Sequence, residues 1–274
     1  ATVVLSDAVV LGTDVTVSGS TSVTFGKTVN SDGTGRVLNV SAGGAATFDG
    51  AVGMTSALTS LTVTATDVVF NTARIDAGTG GSAGIGITAN TLLLEDGANP
   101  IGQRVTISPT GATGGTVGAD TTADPDVDDF FLGGYLTCSG LTALTLKMGT
   151  GSDTIVVTPS LGTAIFIEGD DPAAPASPGD QLLFNALGGS VTDTGSVLTR
   201  AGYRPVTYWE IEGITILNAD ITINGDDGLD DVLTVVAGSV DDGSYVLTTD
   251  GVAGPTVNFW DLAKLTFNGR GGDD

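Results

Sequence analysis

Five short stretches decide the fold: Val15-Thr16-Val17-Ser18, Leu38-Asn39-Val40-Ser41, Leu61-Thr62-Val63-Thr64, Ile85-Gly86-Ile87-Thr88 and Val105-Thr106-Ile107-Ser108. Each is an apolar residue, any residue, an apolar residue and then Ser or Thr, and successive copies lie 23, 23, 24 and 20 residues apart. Alternation with a period of two is typical of a half-buried strand. A nearly fixed spacing between such strands indicates a repeat protein in which each turn of chain stacks on the one before.

A repeat of this length is the size of one turn of a parallel β-helix. We therefore predict an all-β chain that forms a right-handed parallel β-helix, or β-solenoid, with about 20–25 residues per turn and almost no helix. Residues 1–108 would be its first segment, with 23-residue turns. The alternative is a β-sandwich with coincidental spacing, because sandwich strands also recur at regular intervals. In a β-helix one inward column would contain Val17, Val40, Val63, Ile87 and Ile107.

The composition favours strands and limits the possible chemistry. Of 274 residues 42 are Gly and only 5% are aromatic, which suits a narrow core of small aliphatic side chains. His is absent, which excludes Ser-His-Asp and Cys-His nucleophiles and imidazole-bound metals. The net charge of −23 disfavours nucleic acid and anionic membrane surfaces as partners. No stretch is apolar for long enough to predict membrane insertion.

Residues 109–130 interrupt the repeat with turn formers that run into clustered acidic residues. We interpret them as an acidic Gly/Pro-rich loop or a boundary between two segments. Carboxylates at alternate positions suit calcium, but no Gly follows to fold these around a cation, so a solvated loop is favoured. The carboxylates concerned are Asp124, Asp126, Asp128 and Asp129.

A second, longer repeat occupies residues 131–274. Residues 206–216 align without gaps to residues 257–267, 51 residues later, so that Trp209 and Trp260 fall at one position. We predict a second β-solenoid segment with 51-residue modules. Its last copy stops inside a Gly/Asp turn, and we interpret the chain as truncated at the C-terminus and part of something longer.

A weaker copy of the same repeat lies at residues 136–146. Cys138 takes the place of Tyr208 and Phe259 there, so we predict a buried apolar role for this thiol and no nucleophilic one. Between the copies, the insert Asp170–Asp180 contains three prolines, which cannot join a central ladder. We predict that it leaves the stack as an exposed loop.

These repeats resemble those of very large bacterial surface proteins of the filamentous-haemagglutinin and autotransporter-adhesin type. The resemblance is carried by Val23-Thr24-Phe25-Gly26, Ala46-Thr47-Phe48-Asp49-Gly50-Ala51-Val52 and Leu58-Thr59-Ser60-Leu61-Thr62-Val63, with Gly/Asp-rich modules in the second half. It covers nearly the whole chain except residues 109–130. It implies extracellular or cell-surface β-solenoids that serve in adhesion or as structural fibres.

The Gly/Asp turns also resemble the calcium-binding nonapeptide repeats of secreted toxins, whose pattern Gly149, Gly151, Asp153 and Ile155 match. Those repeats bind calcium between tandem copies, whereas the turns here are far apart, so Asp as a turn former is the favoured interpretation. We expect no cofactor, with calcium as the alternative. The candidate ligands are Asp153, Asp226, Asp227, Asp230, Asp231 and Asp273.

Carbohydrate binding is a further possibility, because strand alternation would send Trp209 and Trp260 outward on neighbouring turns if the residues before them point inward. Burial of both indoles by a bend at Glu210 and Asp261 is favoured instead, since large aromatics are usually buried. Catalysis is not expected, because no acidic cluster lies beside a basic residue within a strand.

The prediction for function is therefore a non-catalytic structural or adhesive segment of a large extracellular surface or fibre-forming protein. Its partners would be further copies of itself, end to end, or the remainder of a longer chain, with extracellular glycans as a third possibility. An open strand at each end of a solenoid invites such contacts.

Overall fold

The computed structural model describes residues 1–72, 74–78, 82–95, 104–118, 134–170 and 179–272. Every regular element in these ranges is a β-strand, which confirms the predicted all-β class, and none is a helix that could cross a membrane. Thirteen strands precede residue 119: β1 Thr2–Leu5, β2 Val9–Leu11, β3 Val15–Gly19, β4 Ser22–Phe25, β5 Val29–Ser31, β6 Val37–Ala42, β7 Ala45–Phe48, β8 Ser60–Thr64, β9 Asp67–Phe70, β10 Ser82–Thr88, β11 Thr91–Glu95, β12 Arg104–Thr110 and β13 Gly114–Gly118.

Fifteen described strands follow residue 133, and antiparallel hairpins occur among them. They are β14 Gly134–Ser139, β15 Ala143–Lys147, β16 Thr154–Val157, β17 Ala164–Glu168, β18 Gln181–Asn185, β19 Val191–Asp193, β20 Val197–Arg200, β21 Val206–Trp209, β22 Gly213–Leu217, β23 Ile221–Asn224, β24 Asp231–Ala237, β25 Gly243–Thr249, β26 Val252–Ala253, β27 Thr256–Trp260 and β28 Leu265–Asn268.

Two long, open and mainly parallel sheets hold most of these strands. The 12-stranded sheet has the order β1-β4-β7-β9-β11-β15-β17-β21-β20-β19-β23-β28. The 14-stranded sheet has the order β24-β25-β27-β22-β18-β16-β12-β13-β14-β10-β8-β6-β3, with β26 beside β25. A short third ladder pairs β2 with β5 and continues as single bridges through Val52 to Ile75. Buried side chains of both long sheets form one hydrophobic cluster.

In residues 1–95 the chain returns to each sheet at the spacing that the sequence repeat predicts. Val17 pairs with Val40, Val40 with Val63 and Val63 with Ile87, all in parallel register. In the facing sheet, Phe25, Phe48 and Phe70 stack with ring centroids 5.0 and 4.6 Å apart and are almost completely buried. Like residues on successive turns therefore lie on top of one another.

The fifth member of the predicted column, Ile107, does not lie beside Ile87. Ile87 pairs with Cys138 of β14, and β13 separates β14 from β12, which carries Ile107. The physical reason is that β12 turns back into an antiparallel hairpin with β13, and the chain then fills the position next to β10 with β14. Residues 109–118, expected in a loop or boundary, therefore form strand and tight turn, and residues 119–130 lie outside the described ranges.

Beyond residue 133 the pairing offsets are irregular. Ile155 pairs with Leu182, Leu182 with Ile214 and Ile214 with Val257, so the offsets are 27, 32 and 43 residues. None of these equals the 51-residue spacing of the aligned copies. Instead β21 of the first copy lies in the 12-stranded sheet and β27 of the second in the 14-stranded sheet.

The repeated unit is a corner between the two sheets. Each aligned copy contains a strand of one sheet, a turn and a strand of the other: β14 and β15, β21 and β22, β27 and β28. One turn residue has a positive φ in all three copies, namely 80° at Gly140, 53° at Glu210 and 56° at Asp261. The sequence similarity thus reflects a local conformation that these three sheet-to-sheet corners share, and not a stacking period.

Candidate functional site

Both tryptophans are exposed, Trp209 by 65% and Trp260 by 54% of their surface. The residue before each of them is buried, so strand alternation continues through the indole. The bend expected to bury the indoles does exist, because Glu210 and Asp261 have positive φ. It begins one residue after the tryptophan and leaves the ring on the outer surface.

The tryptophans do not lie on neighbouring strands, and this corrects the expectation of two adjacent indoles. Trp209 pairs with Glu168 in the 12-stranded sheet, whereas Trp260 pairs with Leu217 in the 14-stranded sheet. The cause is the corner repeat, which puts equivalent positions of the two copies on different sheets. The indoles therefore belong to separate surfaces.

Trp209 lies at the rim of a shallow outer depression of about 290 Å³. Phe166, in the adjacent strand, is 43% exposed although both of its neighbours in sequence are buried isoleucines. In the strand on the other side of β17, Lys147 pairs with Glu168, and its Nζ lies 3.3 Å from Glu168 Oε2. We call this surface the Trp209 patch and define it by Thr145, Phe166, Glu168, Thr207 and Trp209.

Sequence reasoning missed Phe166, although a signal was present. The stretch Ile165-Phe166-Ile167 is uniformly apolar, and only its position in an alternating strand shows that the middle residue faces outward. Pairing of Ile165 with Val206 and Ile167 with Tyr208, all buried, fixes that orientation.

The acidic residues proposed as metal ligands differ in burial and lie at separate places in the chain: Asp153 before β16, and four aspartates in and after the turn before β24. Asp153 is buried before β16, and Asp231 is buried at the start of β24. Asp226, Asp227 and Asp230, in the turn that precedes Asp231, are exposed. Asp273 lies outside the described residues, as do Asp124, Asp126, Asp128 and Asp129. Within the described ranges no group of three or more Asp, Glu, Cys or His side chains is arranged to hold a metal ion.

Asp231 organises the turn that precedes it. Its Oδ2 accepts a hydrogen bond from the Asp226 amide at 2.9 Å, and its Oδ1 accepts one from the Thr249 hydroxyl at 2.6 Å. Both carboxylate oxygens therefore bond to protein donors, as the turn-former interpretation predicts.

Three acidic residues stack at the starts of consecutive strands of the 14-stranded sheet. Asp180 Oδ1 accepts a hydrogen bond from the Asp153 amide at 2.7 Å, and Glu212 Oε2 accepts one from the Asp180 amide at 2.6 Å. Burial, together with the charge of Glu212, raises the pKa of the Asp180 carboxyl to about 6 against the lowering effect of its hydrogen bond. Of the insert Asp170–Asp180 that was expected to form an exposed loop, residues 171–178 lie outside the described ranges. Asp180 at its end is completely buried, and its carboxylate accepts the hydrogen bond from the neighbouring turn.

A second buried carboxylate, Asp193, joins the two sheets. Its Oδ2 accepts a hydrogen bond from the Tyr245 hydroxyl at 2.6 Å, and its Oδ1 accepts from the Gly195 amide at 2.9 Å and the Tyr208 hydroxyl at 3.3 Å. Burial raises the pKa of Asp193, and the tyrosine hydrogen bonds oppose that shift. Nothing local in the sequence links residues that are 52 positions apart.

Cys138 behaves as a partly buried side chain of the sheet. Its Sγ lies 3.3 Å from the carbonyl oxygen of Gly115, and burial raises the pKa of the thiol to about 11. A thiol with so high a pKa is protonated at neutral pH and a poor nucleophile.

Comparison with models of known protein families, with curated proteins and with solved structures finds no match to this chain. Function therefore has to be argued from the architecture and from the surfaces described above.

Proposed function

We propose that the chain is a right-handed parallel β-solenoid that serves as a non-catalytic structural or adhesive segment of a large extracellular surface or fibre-forming protein. The regular return of residues 1–95 to the same two sheets supports the solenoid. The single hydrophobic cluster shared by both sheets supports one continuous stack. The resemblance of the repeats to bacterial surface proteins supports the location and the role.

The observation that carries the proposal is the set of open strand edges at the two ends of the stack. Among the described strands, β1 and β28 are outermost in the 12-stranded sheet, and β3 and β24 in the 14-stranded sheet. An unpaired edge strand presents N–H and C=O groups that pair readily with another chain. End-to-end contact between copies would satisfy them.

Among these edges, strand β24 is the one best suited to pair with a strand of another copy. It is seven residues long, and Val232, Val235 and Val236 are 56%, 46% and 60% exposed. Proteins that avoid association usually blunt an exposed apolar edge of this kind with charged residues or proline. The net charge of −23 opposes lateral clustering of copies, which leaves the ends as the favoured contact.

Sedimentation of the purified chain over a range of concentration and salt tests the proposal. We expect chains of copies to form as concentration rises, and more readily at high salt, because salt screens the negative charge. Val236→Lys places a charge on the edge and should abolish association. Leu161→Lys changes the net charge equally at a 54% exposed turn position away from every edge strand, and should leave association intact.

A monodisperse monomer at high concentration and salt would overturn the end-to-end proposal. Equal loss of association in Val236→Lys and Leu161→Lys would also overturn it, because it would show that net charge and not the β24 edge governs the contact.

A further inference from the structure

The outer face of the 12-stranded sheet carries an exposed aromatic pair that the structural role does not use. Phe166 and Trp209 lie on the adjacent parallel strands β17 and β21, and both point away from the core. Neither ring contributes to the stacking of turns. Exposed aromatics rimmed by polar groups mark interaction surfaces more often than they mark packing.

The register places these rings diagonally across the two strands. Phe166 pairs with Thr207, and Glu168 pairs with Trp209. With parallel strands about 4.8 Å apart and about 3.3 Å of rise per residue, the two aromatic Cα atoms are about 8 Å apart. The remaining corners of this rectangle hold a hydroxyl and a carboxylate, so polar groups lie directly beside each ring.

The chemistry of the Trp209 patch combines flat apolar faces with groups that bond hydroxyls. The hydroxyls of Thr145 and Thr207 can donate and accept hydrogen bonds, and the Glu168 carboxylate can accept them. The Lys147 ammonium, 3.3 Å from that carboxylate, can donate them. A sugar ring has the matching properties, with C–H groups on its faces and hydroxyls around its edge. The depression of about 290 Å³ is shallow and open, which suits part of a chain running across a surface better than an enclosed small molecule.

We propose that the Trp209 patch binds a neutral glycan, with the faces of adjacent sugar rings stacked on Phe166 and Trp209. The net charge of −23 repels anionic polysaccharides and nucleic acid, and it opposes the side-by-side approach of a second copy to this outer face. Residues 120–274, which include the patch, carry 24 acidic and 5 basic side chains, so most of the net charge lies in the part of the chain that contains the site. Uncharged sugars are the partner that this surface accepts at no electrostatic cost.

The second tryptophan supplies an internal control. Trp260 is similarly exposed but pairs with Leu217 in the other sheet. A non-specific affinity of indoles for sugars would involve both tryptophans. A built site involves Trp209 and Phe166 together and leaves Trp260 out.

The test uses the whole chain and soluble hexasaccharides of β-linked glucose, of β-linked N-acetylglucosamine and of galactose at up to millimolar concentration. In a Trp260→Phe background Trp209 is the only tryptophan, so its fluorescence reports on the patch alone. We expect at least one probe to shift that fluorescence saturably. In the wild-type chain, followed by calorimetry, Trp209→Ala and Phe166→Ala should each weaken binding about tenfold, and Trp260→Ala should leave it within about twofold.

The proposal is overturned if none of the neutral probes binds, or if Trp260→Ala weakens binding as much as Trp209→Ala. It is also overturned if Trp209→Ala abolishes sedimentation of oligomers without affecting any glycan, which would make the patch a contact between copies. The patch lies on the 12-stranded sheet and β24 at the edge of the 14-stranded sheet, and binding is measured on Val236→Lys as well as on the wild type. If end-to-end assembly fails, glycan binding can therefore still be measured, and if glycan binding fails, assembly can still be measured.

Discussion

Residues 1–95 and residues 134–272 use the same pair of sheets but hold them together differently. In the first region neighbouring strands are offset by 20–24 residues, and no acidic side chain is buried among its described residues. In the second region the offsets vary widely, and four aspartates are buried among the residues that the structure describes: Asp153, Asp180, Asp193 and Asp231. The region with regular turns therefore has no buried acidic side chain in the described ranges, and the region with irregular turns has several.

The difference lies in what accepts the backbone N–H groups at the corners. In the regular turns a corner amide bonds the carbonyl of the turn below, as Gly43 bonds Gly19 and Asn90 bonds Thr66. Where turn length varies, equivalent carbonyls no longer lie beneath each other, and buried amides still need acceptors. Buried carboxylates supply them, so part of the acidity of the second half is structural.

The largest expected effect is on the regular region. Phe48 lies in the middle of the aromatic stack and is completely buried. Phe48→Ala should lower the free energy of unfolding by about 3–5 kcal/mol, measured by urea denaturation, because it removes both ring contacts and leaves a cavity. Phe166→Ala, at an exposed ring, is the matched control and should cost under about 1 kcal/mol. Similar losses in the two variants would show that the first region lacks the stacked core.

The corner repeat gives the next largest effect. Gly140 has a φ of 80°, and an added Cβ would lie 3.2 Å from the Ala89 carbonyl oxygen. Gly140→Ala should therefore cost about 1–2 kcal/mol in the same assay, since a left-handed conformation is unfavourable for alanine. Gly12→Ala meets nothing within 4 Å and should be nearly neutral. Asp261→Gly should stabilise the chain slightly, and destabilisation there would contradict a shared corner conformation.

Sequence patterns predicted the regular region well, because strand spacing equals pairing offset when turns have constant length. The column from Val17 to Ile87 follows directly from that equality. The prediction failed at Ile107, where the turn formers after residue 108 close an antiparallel hairpin, in place of the expected loop, and put β13 between β12 and β14. In the second region the copies that align Trp209 with Trp260 do share a conformation, but it is the conformation of a corner between the sheets. Sequence similarity alone cannot distinguish a repeated turn of the stack from a repeated bend within one turn.

The candidate surface was predicted only in part for the same reason. Outward tryptophans follow from alternation, whereas the neighbours of Trp209 depend on a 41-residue offset between β17 and β21 that nothing in the sequence marks. The stack of Asp153, Asp180 and Glu212 does leave a signal, an acidic residue two positions before a buried apolar one. That pattern is too common to identify without the structure.

A smaller effect is expected on the pH dependence of stability, through the buried carboxyl group of Asp180. The pKa of Asp180 is raised to about 6 in the folded chain from an ordinary value of about 4, so folding favours its protonated form. Its contribution to stability is present below about pH 4 and is lost as pH rises through about 6. Asp180→Asn keeps the acceptor for the Asp153 amide and should remove this component, so the wild-type minus variant difference should change between pH 4 and 6. A difference that stays constant over that range would contradict the burial of an ionisable group there.

The smallest effect is expected from chelation. At the acidic turn before β24, both carboxylate oxygens of Asp231 accept hydrogen bonds from protein donors, so we expect this turn to fold without a cation. A chelator should therefore shift the melting temperature by less than about 2 °C. A large fall would show that calcium holds these turns.

Disulfide trapping at the junction tests most directly the central claim that one stack of strands runs through both regions. Ile87 and the native Cys138 are in-register partners on adjacent parallel strands, and a Cα separation of about 5 Å allows a disulfide. Ile107 lies two strands from Cys138, so its Cα is about 10 Å away, which is too far for a disulfide. After mild oxidation, the account predicts that Ile87→Cys loses both free thiols to an intrachain bond with Cys138, seen by mass spectrometry after alkylation, and that Ile107→Cys keeps both. Free thiols in Ile87→Cys, or an intrachain bond in Ile107→Cys, would contradict it.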